Sequence, residues 1–158
     1  MIDNYLTLLA ESLEKKLNIL NQMMAISSRQ SEIMSSEGVA VDEFDACVDE
    51  KDALVRELTL LDDGFEQLYD RIKEELLTHK DLYGNQIKKL QVLIAELTEK
   101  SCTLQAQEAR NKTLVEKYFA RERDALKSGR KTSKAALDYY QSMNRSAVVP
   151  PQFMDKKK

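Results

Sequence analysis

The chain contains 158 residues, of which 32% are charged and 42% hydrophobic, with no tryptophan, four glycines and two prolines. This length and composition indicate one helix-rich domain, or one domain with a tail. No apolar run approaches the roughly 20 residues that a membrane-spanning helix needs, and the acidic N-terminal segment lacks the basic start of a secretory signal. We therefore expect a cytoplasmic protein without membrane insertion.

Charge is distributed unevenly along the chain. Residues 1–118 contain 14 Lys and Arg against 23 Asp and Glu, whereas residues 119–158 contain 10 against 4. Two parts of opposite charge indicate either two separate roles or a basic end that folds back on an acidic body.

A hydrophobic stripe with spacings of three and four residues predicts a first long helix from about Ile2 to about Met34. Gly38 suits a left-handed cap after this helix. Val41 and Asp42 suit a staple residue and an N-cap for the next helix. The stripe of the first helix consists of Ile2, Leu6, Leu9, Leu13, Leu17, Leu20 and Met24.

The second helix is predicted from about Glu43 to about Leu77. Its stripe consists of Phe44, Cys47, Leu54, Leu58, Leu61, Phe65, Leu68, Ile72 and Leu76, with Lys51 in one slot. Gly64 lies inside this helix, where glycine costs about 1 kcal/mol relative to alanine. Because the stripe continues unshifted past Gly64, we predict a continuous helix, with a bend as the alternative. A connection over Thr78 to Gly84 follows.

The third helix is predicted from about Asn85 to about Lys127, a length of about 65 Å. Its stripe consists of Tyr83, Ile87, Leu90, Ile94, Leu97, Leu104, Val115 and Tyr118, but polar residues also occupy stripe positions: Ser101, Glu108, Asn111 and Glu122. Buried charge is costly without a partner, so we expect the second half of this helix to lie outside a dry core. Its end is expected to project, or alternatively to fray or pair with the first helix.

A short fourth helix is predicted from about Ser133 to Met143, where apolar residues fall on one side. Pro150 and Pro151 cannot continue a helix, and the residues that follow are predicted to form a free tail.

The predicted fold is all-α. Short connections between long helices imply antiparallel neighbours, so residues 1–127 are expected to form an elongated, antiparallel, coiled-coil-like bundle of three long helices. Residues 128–158 are expected to form a flexible C-terminal segment with the short, mobile helix and a basic tail.

Apolar and aromatic side chains accumulate where the bundle offers them few partners. Five of the ten aromatic residues lie at or after Tyr118, with Phe153 and Met154 near the C-terminus. Aromatic residues and methionines on a flexible basic segment suit recognition of an amphipathic partner helix. The residues expected to bind the partner are Leu114, Val115, Tyr118, Phe119, Leu126, Leu137, Tyr139, Tyr140 and Met143.

Residue patterns of catalysis and metal binding are missing from the sequence. His79 is the only histidine, at a predicted helix end, where a phosphotransfer role is disfavoured. The sequence contains no glycine-rich phosphate loop, no HExxH and no Ser–His–Asp set. Cys47 and Cys102 are expected to be reduced thiols, and the acidic runs to be solvated helix faces. We therefore predict no enzymatic activity, no cofactor and no metal.

A basic stretch near the end of the predicted third helix raises nucleic-acid binding as an alternative function. Residues 121–134 contain six positive and two negative charges, and such a stretch would bind nucleic acid in a salt-sensitive way. Because the rest of the chain is acidic, we favour a solvated helix end that complements the acidic body or an acidic partner.

Four segments together resemble FlgN-type flagellar type III export chaperones: LLAESLEKKLNILNQMMAIS, VDEFDACVDEKDALVRELTLLDDGF, EARNKTLVEKYF, and ALDYYQSM followed by QFMDKKK. The resemblance covers nearly the full length, although Gly64 and the double proline depart from it. It implies a cytoplasmic chaperone that binds hook–filament junction proteins (hook-associated proteins), prevents their premature assembly and delivers them to the export gate. On this basis residues 114–143 are expected to bind the client, with Tyr139 and Tyr140 as anchors.

A non-catalytic structural protein is the alternative. The same stripes could drive self-association into a scaffold, and a homo-oligomer is compatible with a polar-interrupted seam. The last 40 residues discriminate between these readings, because a chaperone should lose its client without them and a scaffold should not.

Overall fold

The computed structural model describes residues 2–126 and 137–143 of the chain. Its long helices are α1 (Ile2–Ser35), α2 (Val41–Thr78) and α3 (Gly84–Leu126), and a short 3-10 helix (Lys80–Tyr83) precedes α3. Residues 137–143, which we name the C-terminal segment, are also helical. No strand occurs within these ranges, and the predicted all-α fold is confirmed.

The three long helices run up, down and up. Side-chain pairs between α1 and α2 run in opposite directions along the chain: Lys16–Asp62 and Arg29–Glu50. Those between α1 and α3 run in the same direction: Asp3–Gln86 and Ser27–Glu108. Consecutive helices are therefore antiparallel, as predicted, and α1 lies parallel to α3.

The core follows the predicted stripes but is wider than they are in α1. Leu6, Leu9, Leu13 and Leu20 are buried as predicted, whereas Leu17 and Met24 are half-buried. Lys16, Ile19 and Met23 are buried in addition. The backbone of α1 lies close to both α2 and α3, and a helix with two neighbours needs a broader buried face than a two-stranded seam provides.

A gap separates α2 from α3. Within the described residues, no Cα atom of α2 lies within 8 Å of a Cα atom of α3, although α1 approaches both helices within that distance. Long side chains must therefore bridge α2 and α3 wherever these two helices interact.

The start of α2 differs from the prediction. The N-cap is Ala40, whose carbonyl accepts a hydrogen bond from the Phe44 amide at 3.0 Å, so the prediction of Asp42 as N-cap is wrong. Asp42 instead lies in the first turn, where its negative charge complements the helix dipole. Gly38 does not adopt left-handed backbone, so the predicted left-handed cap is also wrong.

Gly64 does not interrupt α2, which continues from Val41 to Thr78. A Cβ atom added at Gly64 would meet nothing within 4 Å. The prediction of a continuous helix is therefore confirmed, and no close packing at this position requires a glycine.

The second half of α3 contradicts the expectation that it lies outside the core. Ser101 and Glu108 are each 4% exposed and Asn111 is 1% exposed. Glu108 and Asn111 contact α1, where the Asn111 side-chain amide donates a 3.0 Å hydrogen bond to the Ser27 carbonyl. Nearer the end of the helix, Phe119 lies in a cluster with Met34 of α1. The alternative that the end pairs with the first helix therefore agrees with the structure as far as Phe119.

Some predictions concern residues that the structure does not describe. These are the end of the third helix at Lys127, the start of the fourth helix at Ser133, the stop at Pro150 and Pro151, and the basic tail.

Candidate functional site

A buried ion pair bridges the gap between α2 and α3. Lys51 Nζ donates hydrogen bonds of 2.7 Å to both carboxylate oxygens of Glu108. Lys51 is fully buried and Glu108 is 4% exposed. Both residues occupy stripe positions of their own helices, so the up-down-up arrangement directs the two side chains toward each other. The charge that each helix buries is thereby neutralised by the other helix.

Helix α1 completes this cluster through Ser27. The Ser27 hydroxyl donates a 2.8 Å hydrogen bond to Glu108 Oε2 and accepts one of 3.1 Å from Lys51 Nζ. One buried residue from each long helix thus contributes to a single hydrogen-bonded group. Buried polar networks of this kind stabilise one alignment of the helices when their members are satisfied.

The C-terminal segment packs onto this cluster. The Tyr139 hydroxyl donates a 2.9 Å hydrogen bond to Glu108 Oε2 and lies 3.9 Å from the Met143 sulfur. Lys51 Nζ lies 4.6 Å from the centroid of the Tyr139 ring and 5.8 Å from that of Tyr140, both within range of a cation–π interaction. Tyr139, Tyr140 and Met143 are each 3% exposed.

The two tyrosine rings form an edge-to-face pair. Their centroids are 5.2 Å apart and the rings are inclined at 69°, an arrangement that aromatic pairs favour. Tyr139, Tyr140 and Met143 form the inner face of the segment, whereas Asp138 and Gln141 are exposed. The segment is therefore amphipathic, and its apolar face is directed at the bundle.

Burial changes the pKa values of this site in a consistent way. Burial lowers the pKa of the Lys51 ammonium, and the attraction of Glu108 opposes that shift. Burial raises the pKa of the Tyr139 and Tyr140 hydroxyls, and the negative charge of Glu108 raises them further. All three shifts reflect the low polarity of the surroundings, in which an additional charge is unfavourable.

One polar atom in the site is unsatisfied. The Tyr140 hydroxyl is buried and has no hydrogen-bond partner in the part of the chain that the structure describes. A buried hydroxyl without a partner opposes packing, because it has lost its hydrogen bonds to water.

The residues predicted to bind a partner fall into two groups. Phe119 is buried and Tyr118 half-buried in a cluster at the α1–α2 connection with Met34, Val39, Val41 and Phe44. Tyr139, Tyr140 and Met143 lie on the polar cluster near Glu108. Glu108 and Tyr118 are ten residues apart in α3, which corresponds to about 15 Å. Those residues predicted to bind a partner that the structure describes therefore do not form one exposed surface.

The remaining predicted residues are less enclosed, with one exception. Leu114 and Leu137 are half-buried, and Val115 is buried. The side chain of Leu126 lies outside what the structure describes. Leu114, Leu137 and Tyr118 are thus the predicted residues that remain partly accessible.

Sequence reasoning did not identify Lys51, Glu108 and Ser27 as members of one site. A signal was present, because a lysine and a glutamate each replace an apolar residue in the stripes of two different helices. Opposite charges in the seams of neighbouring helices indicate a buried ion pair once the two helices are aligned.

A polar groove of about 260 Å³ lies beside the cluster between α1 and α3, lined by Ser27, Ser28, Ser31, Glu32, Gln107, Arg110 and Asn111.

Among the described residues, no group of His, Cys, Asp and Glu could hold a metal ion. In the same residues, no helix is long and apolar enough to cross a membrane. His79 is exposed at the end of α2, as predicted.

Comparison with known proteins identifies one related family. The family model described as FlgN protein matches residues 1–142 of this chain. The matched range contains all three long helices and the C-terminal segment up to its penultimate residue. Neither the curated proteins nor the solved structures contain a match.

Proposed function

The chain belongs to the FlgN family and is thus a flagellar export chaperone, and we propose that its clients are the hook–filament junction proteins. In this proposal it binds them in the cytoplasm, prevents their premature assembly and delivers them to the type III export gate. The family is a chaperone family and is not known for catalysis, so the proposed function includes no enzymatic step.

The observation that carries the proposal is the family match, because it extends over the bundle and into the C-terminal segment. A client that will later polymerise exposes an amphipathic helix, and its apolar face risks aggregation. The C-terminal segment carries Tyr139, Tyr140 and Met143 on one face, and such a face suits packing against an amphipathic helix.

We propose residues 114–143 as the client-binding region, with Tyr139 and Tyr140 as its anchors. Leu114 and Tyr118 are partly accessible on α3, whereas the two tyrosines are buried on the bundle. The division into a helical bundle (residues 1–127) and a C-terminal part with a short helix and a basic tail (residues 128–158) belongs to the same proposal.

Hydrogen bonds among the polar residues that interrupt the apolar stripes argue against the scaffold alternative. Lys51, Glu108 and Ser27 satisfy one another within a single chain. A second copy of the chain is therefore not needed to neutralise Lys51 and Glu108.

Co-purification with a junction protein of the same organism tests the proposal. The full chain should retain the junction protein, and the variant Tyr139→Ala/Tyr140→Ala should lose it. Leu82→Ala is the matched control, because Leu82 is an apolar residue, 70% exposed, in the 3-10 helix, and this variant should bind normally. Failure of the full chain to retain any junction protein would contradict the proposal.

A further inference from the structure

We propose that the bundle holds the Tyr139–Tyr140 pair in a closed position, and that a client must release the C-terminal segment from Lys51 and Glu108 to use this pair. This inference rests on the proposed function, because it concerns how the client reaches its anchors.

Access to the tyrosines is the first step. Tyr139, Tyr140 and Met143 are each 3% exposed while the segment lies on the bundle. These three residues form the apolar face of the segment, so a client helix cannot contact that face in the closed position. Binding through these residues therefore requires the segment to leave the polar cluster.

The bundle is able to remain folded when the segment leaves. Lys51, Glu108 and Ser27 all belong to α1–α3, and their mutual hydrogen bonds do not involve the segment. Release removes one hydrogen bond from Glu108, namely that donated by Tyr139, and water can replace it. Opening is then a local event that does not require the long helices to separate.

The closed position contains both favourable and unfavourable contacts. The hydrogen bond from Tyr139 to Glu108 and the position of Lys51 over two rings favour closure. The Tyr140 hydroxyl, which has no hydrogen-bond partner among the described residues, opposes closure, since it would be hydrated after release. Within residues 137–143, the buried side chains are Tyr139, Tyr140 and Met143, so the contacts of these three side chains are those that a client has to replace.

The occupant that replaces the bundle is a client helix with an apolar face. Tyr139 and Met143 are four residues apart, one helical turn, and Tyr140 lies beside Tyr139. This short apolar stripe packs in the same manner against any amphipathic helix that offers a matching stripe. Because the free chain must open first, its apparent affinity for the client is reduced by the fraction of open molecules.

Two variants that weaken the closed position test this inference in the full chain. Lys51→Met/Glu108→Leu removes the cation beneath the rings and the acceptor of the Tyr139 hydroxyl, and replaces the ion pair by apolar residues of similar size. Tyr139→Phe removes the hydroxyl alone and keeps the ring, so it provides a second test if the double variant does not fold. The matched control is Lys16→Met/Asp62→Leu, which removes an ion pair between α1 and α2, whose atoms are also 2.7 Å apart.

Two quantities are measured for each variant: hydrogen exchange of the amides of residues 137–143 in the free chain, and affinity for a junction protein. Because the free chain must open before it binds, a variant with roughly tenfold faster amide exchange should bind the junction protein roughly tenfold more tightly. The control should match the unmodified chain in both quantities. Unchanged exchange in both variants would overturn the inference, and so would faster exchange without tighter binding. If no form binds a junction protein, the proposed function fails instead, and the exchange data still decide whether Lys51 and Glu108 hold the segment.

Discussion

Lys51 occupies a position in the apolar seam of α2, between Cys47 one turn before it and Val55 one turn after it. All three side chains are buried. A lysine is accommodated there because Glu108 supplies two acceptor oxygens at 2.7 Å, so neither charge is buried alone. The stability of this part of the seam therefore suffers when one of the two charges is removed without the other.

Removal of Lys51 alone should destabilise the chain strongly. Lys51→Met leaves Glu108 buried without its cation, which should lower the free energy of unfolding by about 3–5 kcal/mol, whereas Lys51→Met/Glu108→Leu should recover most of that loss. Urea denaturation measures both. Lys16→Met is the control, because its partner Asp62 is 37% exposed and water can solvate the remaining carboxylate. A loss in Lys51→Met no larger than in Lys16→Met would contradict this account.

We predict that the C-terminal segment is released from the bundle at alkaline pH, where the tyrosine hydroxyls ionise. Burial and the charge of Glu108 raise the pKa values of Tyr139 and Tyr140, so their contribution to packing is complete below about pH 10, the usual tyrosine pKa, and declines above it. The lowered pKa of Lys51 has the opposite effect on the stability of the packed state. The free-energy penalty for burying its charged ammonium falls as the pH rises toward about 10.4, the usual lysine pKa.

This prediction is checked by titrating tyrosinate absorbance and amide exchange of residues 137–143 together. The difference between the full chain and Tyr139→Phe/Tyr140→Phe isolates the two buried hydroxyls. Their ionisation should begin only above about pH 10 and should coincide with faster exchange in the segment. Ionisation below that pH, or ionisation without faster exchange, would show that the hydroxyls are not buried in solution.

At the scale of elements, α2 carries a glycine that its structure does not need. Gly64→Ala should raise the free energy of unfolding by about 0.5–1 kcal/mol, because alanine loses less backbone entropy in a helix and its Cβ atom would meet nothing within 4 Å. The control is the reverse type of substitution, Ala53→Gly, at an exposed position of α2. Its free energy of unfolding, measured by urea denaturation, should fall by a similar amount. A destabilised Gly64→Ala would indicate a break in α2 at this position.

The limits of the three long helices were predictable because each helix has its own periodic stripe. The predicted starts of all three helices and the predicted ends of the first two agree with Ile2–Ser35, Val41–Thr78 and the start of Gly84–Leu126 to within two residues. The N-cap of α2 was not predictable in this way, since Ala40 caps the helix through its backbone and makes no side-chain hydrogen bond. A cap without a polar side chain leaves no signal in the sequence.

The candidate site was predictable only in part. An apolar face on Tyr139, Tyr140 and Met143 follows from their spacing, but its position on Lys51 and Glu108 does not. The spacing within one helix contains no information on its alignment with another helix. From the sequence alone, a buried Glu108 is therefore only unfavourable, whereas in the fold it is the partner of a lysine 57 residues earlier.

In the described part of the molecule, three long helices form a bundle and the C-terminal segment lies over the gap between α2 and α3. Helix α1 joins α2 and α3, whose own backbones stay more than 8 Å apart within the described residues, and the tyrosines contact both sides of that gap at Lys51 and Glu108. The polar groups at the centre of the bundle satisfy one another without the segment. In the proposed function, stability therefore resides in the three long helices and client recognition in the C-terminal segment.

In the proposed function, the part of the chain beyond α3 provides client binding. Calorimetric titration of a junction protein into the full chain and into a chain ended after Leu126 tests it most directly, with circular dichroism to establish that both forms are helical. We predict one-to-one binding by the full chain and at least about a hundredfold weaker binding by the shortened chain, a difference of about 2.7 kcal/mol. Equal affinities would contradict the claim, as would a stable homo-oligomer that binds no junction protein in either form.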